Sequence, residues 1–325
     1  MATIKDVAEL AGVAPSTVSK YINGGCVRGK NSEAIRAAIE TLNYHVNSFA
    51  RNLKAPPSRS IGILLPSLLV AFWGQLVAPI EKTLRAHGFQ SLICCYNGDH
   101  GLERDKLQFL LNTGIDGLIY IPENLTAEEF ESLTAHCGIP VVLLDRTING
   151  VNVDTVLTNN NDISYQAVSH LIETGHERIG IITGPTPVFT SKERLVGYLR
   201  ALSDHDIPYD DALVIQGEIS LSTAYQGLIS LMELPSPPTA ILSANYDLTI
   251  GLITAARERG ISVPDQVTIF GYDCVEFCRT MTPPVPVVQQ PDAELGRIAA
   301  TYIVERLNGC KLPPRNTCLD CTLIL

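Results

Sequence analysis

The sequence predicts an α/β protein in which a small helical head precedes a larger body built on parallel sheets. The chain has 325 residues, more than one ordinary core accommodates, and 46% are hydrophobic against 18% charged, as in soluble globular proteins. After Ser60, apolar strand-like runs alternate with helical stretches, which is typical of parallel sheets with helices on both faces. Before Ser60 the pattern is helical.

The body contains enough strand-like runs for two sheets. The first run begins at Ser60. The later runs are Gln90–Tyr96, Gly117–Ile121, Val141–Leu144, Ile179–Thr183, Ala240–Ser243 and Val267–Phe270. The helical stretches between them include Gln75–Ala86, Asp105–Leu111, Ser164–Glu173, Lys192–Leu202 and Thr249–Arg259.

The first 44 residues predict a helix-turn-helix. Ile4–Ala11 has one apolar helical face with Thr3 as a candidate N-cap, and Gly12 permits a tight turn. A second short helix spans Pro15–Asn23 and a third amphipathic helix spans Ser32–Asn43. The outer face of the second helix carries Ser16, Thr17, Ser19, Lys20 and Asn23. This arrangement is typical of DNA-binding motifs, and a three-helix bundle without a ligand is the alternative from the residues alone.

Charge is divided unevenly along the chain. The net charge is −10, but residues 1–59 hold eight Lys and Arg against four Asp and Glu, a charge of +4. The rest holds sixteen against thirty, a charge of −14. A basic head on an acidic body directs that end of the molecule toward phosphate.

Several function classes lack their motifs. No strand is followed by a G-x-G-x-x-G loop or a P-loop, and neither a G-x-S-x-G elbow nor an H-E-x-x-H pair is present. We therefore expect no enzyme activity, no cofactor and no metal. No apolar run reaches the ~18 residues that span a bilayer. The N-terminus also lacks a basic-then-apolar leader, so we expect a cytoplasmic location without membrane contact.

The nine cysteines do not predict a disulfide framework, because their number is odd and no export signal is present. Cys318 and Cys321 form a C-x-x-C, but a zinc site needs four ligands and no second pair accompanies it. The surrounding run Thr317–Leu323 looks like one terminal strand, on which these positions face opposite sides. Buried or half-buried thiols are the preferred interpretation here and at Cys94 and Cys95.

The head resembles the LacI/GalR family of transcription regulators. The stretch Thr3–Gly24, TIKDVAELAGVAPSTVSKYING, is similar to that family's headpiece nearly position for position, and the similarity continues through Asn43-Tyr44 and Asn47–Lys54. The resemblance implies a homodimer on a palindromic operator. It also implies three parts, namely a helix-turn-helix headpiece at 1–44, a hinge helix and linker at 45–59, and a ligand-binding and dimerisation domain at 60–325.

The resemblance implies which residues meet double-stranded DNA. The matched positions are Thr3 at the start of the headpiece, Pro15, Ser16 and Lys20 at base edges, Thr17, Ser19 and Asn23 at phosphates, and Ala50 and Leu53 in the minor groove. Leu53 corresponds to a leucine that inserts into the minor groove and kinks the duplex. His45-Val46 departs from the family, which has a proline before the hinge, so the entry to the hinge is less fixed.

The body resembles the same family in three phrases, which are His170–Gly180 (HLIETGHERIG), Ser191–Tyr198 (SKERLVGY) and Phe270–Asp273 (FGYD). The implied fold is that of the periplasmic binding proteins, with two α/β lobes joined by crossovers near 157–158, 288–291 and 317. The N-lobe then comprises about 60–157 and 291–316, and the C-lobe about 158–288 and 317–325. The effector lies between the lobes, at the carboxyl ends of strands.

The implied cleft holds residues suited to a polyhydroxylated ligand. Charged groups form paired hydrogen bonds with vicinal hydroxyls, amides both donate and accept, and aromatic rings pack against a sugar ring. The expected effector contacts are Phe72, Trp73, Asp145, Arg146, Asn159, Thr190, Arg194, Asn245, Asp247, Asp273 and Gln290. Trp73 is the only tryptophan, and core packing is its alternative role.

Two departures from the family leave the chemical identity of the effector undecided. Asn159-Asn160 stands where the family commonly has Asp-Asn, and Asn245-Tyr246 where it has Asn-Asp. A less acidic, more aromatic cleft suits either a bulkier sugar or a sugar acid. We therefore expect a sequence-specific regulator, most simply a repressor, under the control of one of these. A solute-binding receptor is disfavoured by the DNA-binding head, and a sugar-modifying enzyme by the lack of a reactive constellation.

Overall fold

The structure is a computed structural model that describes residues 4–22, 25, 27–42 and 58–325. The chain divides into two compact units, with the boundary between Pro56 and Pro57. Each unit has its own hydrophobic core.

The first unit contains three helices, α1 (Ile4–Leu10), α2 (Pro15–Ile22) and α3 (Gly29–Thr41). Their buried core consists of Val7, Ala8, Val18, Ile35 and Ala38. Gly12 turns the chain between α1 and α2 with a φ of +64°, which glycine adopts without steric cost. Helix α3 begins before the predicted Ser32, because its polar first turn adds nothing to the apolar periodicity.

The second unit begins with a parallel sheet, the first sheet. Its strands are β1 (Ser60–Leu65), β2 (Gln90–Cys95), β3 (Gly117–Tyr120), β4 (Val141–Leu144), β5 (Asp154–Thr158) and β11 (Asn316–Leu319), in the order β11-β5-β4-β3-β1-β2. One face is covered by α4 (Ala71–Ala86) and α12 (Asp292–Leu307), the other by α5 (His100–Thr113) and α6 (Ala127–Thr134). Because both faces are covered, Ile63 and Leu64 of one strand are both fully buried.

The second sheet has the order β12-β10-β9-β8-β6-β7. These strands are β6 (Ile179–Thr183), β7 (Val214–Gln216), β8 (Ala240–Ser243), β9 (Thr268–Tyr272), β10 (Val287–Gln289) and β12 (Thr322–Ile324). Its faces are covered by α7 (Asn160–Glu173) and α8 (Phe189–Asp204) on one side, and by α9 (Leu221–Met232), α10 (Tyr246–Arg259) and α11 (Val275–Arg279) on the other. Strand β12 runs antiparallel to β10, and the other pairings are parallel.

Within residues 58–325 the chain passes between the two sheets three times. The first passage runs from β5 to α7 and the second from β10 to α12, as predicted near 157–158 and 288–291. The third runs through Asp320 and Cys321, which corrects the single terminal strand predicted over Thr317–Leu323. Residues 317–319 therefore belong to the first sheet. Two strands separated by two residues look continuous in sequence, because an apolar pattern does not reveal the pairing partner.

Candidate functional site

The outer face of α2 carries residues predicted to contact DNA. Pro15, Ser16 and Lys20 are exposed, and Thr17 and Ser19 are half-buried. The opposite face is anchored by Val18, which is fully buried. Four predicted DNA contacts, Thr3, Asn23, Ala50 and Leu53, lie outside the described residues, as does the departure at His45-Val46.

Gly25 follows α2 and lies against Lys20. The backbone N–H of Gly25 donates to the carbonyl oxygen of Lys20 at 2.8 Å. A Cβ on residue 25 would lie 2.6 Å from Lys20 Cγ, closer than real atoms approach. Glycine at this position therefore lets the stem of Lys20 lie along the chain that follows the helix.

Two aspartates of the second unit occupy matching strained turns, one at each sheet. Asp145 follows β4 with a φ of +64°, and Asp273 follows β9 with a φ of +65°. In each turn the next residue's N–H donates to the carbonyl of the residue before the aspartate, at 2.7 Å in the first and 2.9 Å in the second. Positive-φ γ-turns of this kind are rare and strained. Both carboxylates thus stand at carboxyl ends of strands, where open α/β sheets bind ligands.

A buried charge cluster surrounds Asp145. Asp145 and Arg146 are 3% and 5% exposed. Arg146 Nε lies 3.5 Å from Asp145 Oδ2, and Arg146 Nη1 lies 3.4 Å from Glu123 Oε1. Among the described residues, Asp145 Oδ1, Glu123 Oε2, Arg146 Nε and Arg146 Nη1 have no hydrogen-bond partner. Buried polar atoms without partners cost free energy, so the cluster is suited to receive a polar ligand.

Glu123 is positioned by a second carboxylate, that of the fully buried Glu103 on α5. Glu103 accepts hydrogen bonds from the Tyr120 hydroxyl, from the backbone N–H of Glu123 at 2.8 Å, and from the backbone N–H of Asn124 at 3.0 Å. The side-chain amide of Asn124 donates a fourth bond at 3.0 Å. Glu103 is therefore satisfied within the protein, and it fixes the loop that presents Glu123.

Arg194 lies at the second sheet, buried on α8. Its Nε donates to Asn160 Oδ1 at 2.7 Å, and its Nη1 donates to the carbonyl of Ala244 at 2.7 Å. Its guanidinium carbon lies 3.7 Å from the centre of the Tyr272 ring, in a cation–π contact. These three interactions fix the orientation of the guanidinium.

Arg194 interacts electrostatically with an aspartate from each sheet. Burial raises the pKa of Asp145 and raises that of Asp273 to about 7, and the guanidinium of Arg194 opposes both shifts. Arg194 therefore lies near two carboxylates, one from each sheet. The structure thus brings together three charged residues predicted as effector contacts.

A hydrogen-bond chain joins Arg194 to Asp273 through the first two passages between the sheets. Asn160, which accepts from Arg194, donates from Nδ2 to Thr158 Oγ1 at 3.1 Å. Thr158 donates to Gln290 Oε1 at 3.0 Å. Gln290 Nε2 donates to both carboxylate oxygens of Asp273, at 3.0 and 2.9 Å. Each link pairs a donor with an acceptor, so the chain is continuous from one charged residue to the other.

A cavity of about 170 Å³ opens beside this chain. Phe72 at the start of α4 lines it from the first sheet. Tyr246, Asp273 and Cys274 line it from the second sheet, and Gln290 lines it from the second passage. The cavity therefore lies between the two sheets. Of the predicted effector contacts, Phe72, Asp273 and Gln290 line it and the others do not.

Trp73 packs in the core of the first sheet and is 8% exposed. Its ring meets that of Phe72 edge-to-face, with the centres 4.9 Å apart. The guanidinium carbon of Arg146 lies 5.8 Å from the indole centre. Trp73 thus supports two residues of the candidate site and also takes the core-packing role.

Asn159 ties two passages together. Its Nδ2 donates to Asp320 Oδ1 at 3.0 Å, and its Oδ1 accepts from the backbone N–H of Cys321 at 2.9 Å. The first and third passages between the sheets are therefore joined by one side chain.

Three further residues predicted as effector contacts lie at the beginnings of helices that pack on the second sheet. Asn245 is the N-cap residue of α10 and accepts from the backbone N–H of Asp247 at 2.9 Å. Asp247 is half-buried, and burial raises its pKa. Thr190 is buried in the first turn of α8.

Glu123, Thr158 and Asn160 contact residues of the candidate site but are not among the effector contacts predicted from the sequence. Thr158 ends β5 and Asn160 begins α7, while Glu123 follows β3 by three residues. The rule that ligand-binding groups gather at the carboxyl ends of strands marks all three positions. Their hydrogen-bond partners come from distant parts of the chain and could not be read from it.

Two family models match the chain. One, described as "Bacterial regulatory proteins, lacI family", matches residues 3–47. The other, described as "Periplasmic binding proteins and sugar binding domain of LacI family", matches residues 58–324. The chain belongs to the LacI family. It is a DNA-binding transcriptional repressor with a ligand-binding domain of the periplasmic-binding-protein type.

Relatives of this LacI-family chain include repressors. An HTH-type transcriptional repressor PurR of Vibrio atlanticus (strain LGP32) is 32% identical over 308 residues, which cover 94% of this chain and 92% of that protein. The repressor of the same name from Pectobacterium carotovorum subsp. carotovorum (strain PC1) is 33% identical over 311 residues, which cover 95% and 91%.

Solved structures of LacI-family regulators are similar to this chain over most of its length. A complex of the transcriptional regulator CelR with cellobiose has a TM-score of 0.75 at 27% identity, covering 100% of this chain and 99% of that one. A LacI family regulator of Enterococcus faecium with bound ribose has a TM-score of 0.74 at 25% identity, covering 82% and 97%. In the part of this chain that the structure describes, no helix is long and apolar enough to cross a membrane.

Proposed function

We propose that this LacI-family chain represses transcription under the control of a neutral polyhydroxylated effector, a sugar, bound in the cavity between the two sheets. Two observations support this. Buried charged atoms of Asp145, Arg146 and Glu123 have no hydrogen-bond partner, and Phe72, Asp273 and Gln290 line the cavity. Hydroxyl groups both donate and accept, so one sugar can satisfy the carboxylates and the guanidinium together.

The proposed effector contacts combine residues that line the cavity with buried polar residues at the carboxyl ends of strands and at helix starts. They are Phe72, Glu123, Asp145, Arg146, Thr190, Arg194, Tyr246, Asp273 and Gln290. Trp73, Asn159, Asn245 and Asp247 are proposed to support these contacts. This assignment separates the residues proposed to touch the ligand from those proposed to support them.

The charge balance favours a neutral sugar over a sugar acid. Glu123, Asp145 and Asp273 bring three carboxylates against the two guanidinium groups of Arg146 and Arg194. Because burial raises the pKa of Asp273 to about 7, the site is close to neutral near that pH and negative above it. A carboxylate on the ligand would add a fourth negative charge against these two guanidinium groups. The cellobiose and ribose in the two neighbouring structures are neutral sugars as well.

The proposed DNA contact uses the exposed face of α2. Pro15, Ser16 and Lys20 would read bases, Thr17, Ser19 and Asn23 would contact phosphates, and Thr3 would meet DNA at the start of the headpiece. One short helix makes few base contacts, so two heads must act together on a palindromic operator, which requires a homodimer. Ala50 and Leu53 would then enter the minor groove. Because the proposed target is operator DNA, the proposed location is the cytoplasm.

A thermal-shift screen tests the effector assignment. Neutral sugars, including ribose and cellobiose, are compared with the sugar acids gluconate and galacturonate. A ligand at one hundred times its dissociation constant stabilises the folded state by about 2.7 kcal/mol, which raises the melting temperature measurably. We expect a neutral sugar to stabilise the protein and sugar acids to have no effect. Stabilisation by an acid alone would contradict the assignment.

A further inference from the structure

Two buried thiols lie at the wall of the effector cavity, outside the hydrogen-bond chain. The sulfur atoms of Cys274 and Cys278 are 3.3 Å apart. Their side chains are 2% and 0% exposed. Cys274 directly follows Asp273 and lines the cavity, and Cys278 lies one helical turn further on in α11. A small molecule in the cavity therefore reaches the pair through Cys274.

The backbone spacing allows a bond between the two sulfur atoms. Residues four apart in a helix have Cα atoms about 6 Å apart, within the range of roughly 4.4–6.8 Å found in disulfides. Cys274 is the N-cap residue of α11, with φ −90° and ψ 47°, so its own backbone is not helical. The sulfur atoms would have to approach by roughly 1.2 Å to reach bonding distance.

We propose that Cys274 and Cys278 are a redox-modifiable dithiol, which closes to a disulfide when a peroxide enters the effector cavity. The thiolate of one cysteine attacks one oxygen of the peroxide and the O–O bond breaks. This gives a sulfenic acid and a hydroxide, which takes up the proton that the thiol lost and becomes water. The other thiol attacks the sulfenic sulfur, the S–S bond forms, and a second water leaves. Two electrons pass from the two sulfur atoms to the peroxide, so two thiols and one hydrogen peroxide give one disulfide and two waters.

The contact between the thiols favours the first step. The two thiols share a hydrogen bond in which either sulfur can be the donor. This contact lowers the pKa of Cys278 and raises that of Cys274. The pair therefore loses its first proton more readily than an isolated buried thiol, and the resulting thiolate is the nucleophile.

Closing the bond would change the effector cavity. Residues 275–277 lie between the two cysteines and all line the cavity, and Asp273 precedes the pair in its strained turn. The disulfide would pull the N-terminal end of α11 toward the strained turn at Asp273. Oxidation of the two thiols would thus change the effector cavity independently of effector binding.

Peptide mass spectrometry tests the proposal on the full-length protein. Trypsin releases residues 260–279 as one peptide, which contains Cys274 and Cys278 and no other cysteine. The protein is treated with hydrogen peroxide, alkylated with iodoacetamide under denaturing conditions, and digested without reduction. We expect this peptide to carry no alkyl group and to be lighter by two hydrogen masses than the unalkylated dithiol peptide. Treatment with dithiothreitol before alkylation should give the peptide with two alkyl groups.

Matched variants separate this pair from the other thiols. Cys274→Ser and Cys278→Ser should each abolish the internal disulfide. The double variant Cys94→Ser, Cys95→Ser removes an adjacent pair whose side chains point to opposite faces of β2, and it should form the 274–278 disulfide like the unchanged protein. The proposal is overturned if peptide 260–279 keeps both alkyl groups at a peroxide concentration that oxidises the exposed Cys318. It is equally overturned if that peptide gains sulfinic acid without a disulfide.

Discussion

Single residues determine the candidate site through burial of charge. Asp145, Arg194 and Asp273 could be selected from the sequence because a family resemblance marked them, and the structure places them together. Glu103 could not be selected, because an acidic residue on an amphipathic helix looks solvent-exposed. Its burial follows from four donors that converge on it from a distant loop. Sequence thus indicates which groups are chemically suited, and tertiary contacts decide which are used.

Arg194→Lys should destabilise the protein and abolish effector binding. Lysine cannot donate to Asn160 and to the carbonyl of Ala244 with the same geometry, and a lost bond to a charged group costs about 1.5–3 kcal/mol. Urea unfolding measures the change. Arg200→Lys on the same helix is the control, because Arg200 pairs with Asp162 at the surface and should lose less than about 1 kcal/mol. Equal losses in both variants would contradict the buried role of Arg194.

Asp273→Asn should remove a pH dependence of stability. The pKa of Asp273 is about 7 in the folded protein because of burial, against an ordinary value of 3.8. The folded state therefore holds a proton that the unfolded state releases. This contribution to stability is complete below the ordinary value and is lost as the pH rises through about 7, with a slope of at most about 1.4 kcal/mol per pH unit.

Urea unfolding at a series of pH values measures this effect. The free energy of unfolding of Asp273→Asn, relative to the unchanged protein, should rise from about pH 4 to about pH 7 and then level off. A difference that does not vary with pH would show that Asp273 is ionised in the folded state throughout this range.

Secondary-structure elements could be predicted where local pattern and tertiary role agree. Val141–Leu144, Ile179–Thr183 and Ala240–Ser243 are strands with the predicted bounds, since fully buried strands form uninterrupted apolar runs. Helix α4 begins at Ala71 instead of the predicted Gln75, because its first turn is apolar and shows no periodicity. The division of the last strand into β11 and β12 depends on pairing with two different sheets, which no local pattern encodes.

Thr158→Val should weaken the connection between the first two passages. Valine keeps the shape of Thr158 but leaves Gln290 Oε1 and Asn160 Nδ2 without this partner, and each buried unpaired group costs about 1–3 kcal/mol. Thr155→Val is the matched control, because Thr155 is buried on the same strand and its hydroxyl donates to the carbonyl of Val153, which lies outside this hydrogen-bond chain. Urea unfolding should show a larger loss for Thr158→Val. A loss no larger than that of the control would exclude Thr158 as a link.

The protein combines two compact units. The first recognises DNA and the second recognises a ligand, and the two kinds of recognition depend on different chemistry. In the proposed function, the basic head meets phosphate through its net charge and bases through α2, and the body binds a neutral effector among buried charged groups. Charge, helical pattern and strand alternation change near residue 60, and the chain divides into two compact units between Pro56 and Pro57. The identity of the effector could not be predicted from the sequence, because it depends on which buried atoms lack partners.

Leu53→Ala tests the proposed insertion of Leu53 into the minor groove of the operator. Leu53 lies outside the described residues. Unstacking a base step costs a few kcal/mol, which the contacts of the bent duplex offset. The variant should weaken binding to operator DNA strongly, and binding to random duplex very little, because phosphate contacts dominate the latter. Fluorescence anisotropy at one salt concentration measures both. Parallel losses would show that Leu53 inserts into no groove.

The central claim is that effector binding in the body changes operator affinity. Its most direct test uses an operator selected from a random duplex pool and the sugar identified by thermal shift. Anisotropy titrations then compare the unchanged protein with Arg194→Lys, with and without the sugar. We expect the sugar to change the operator dissociation constant of the unchanged protein by about 5–150-fold, as in typical allosteric coupling, and that of Arg194→Lys not at all. A sugar that binds the unchanged protein and leaves its operator affinity unaltered would contradict the claim.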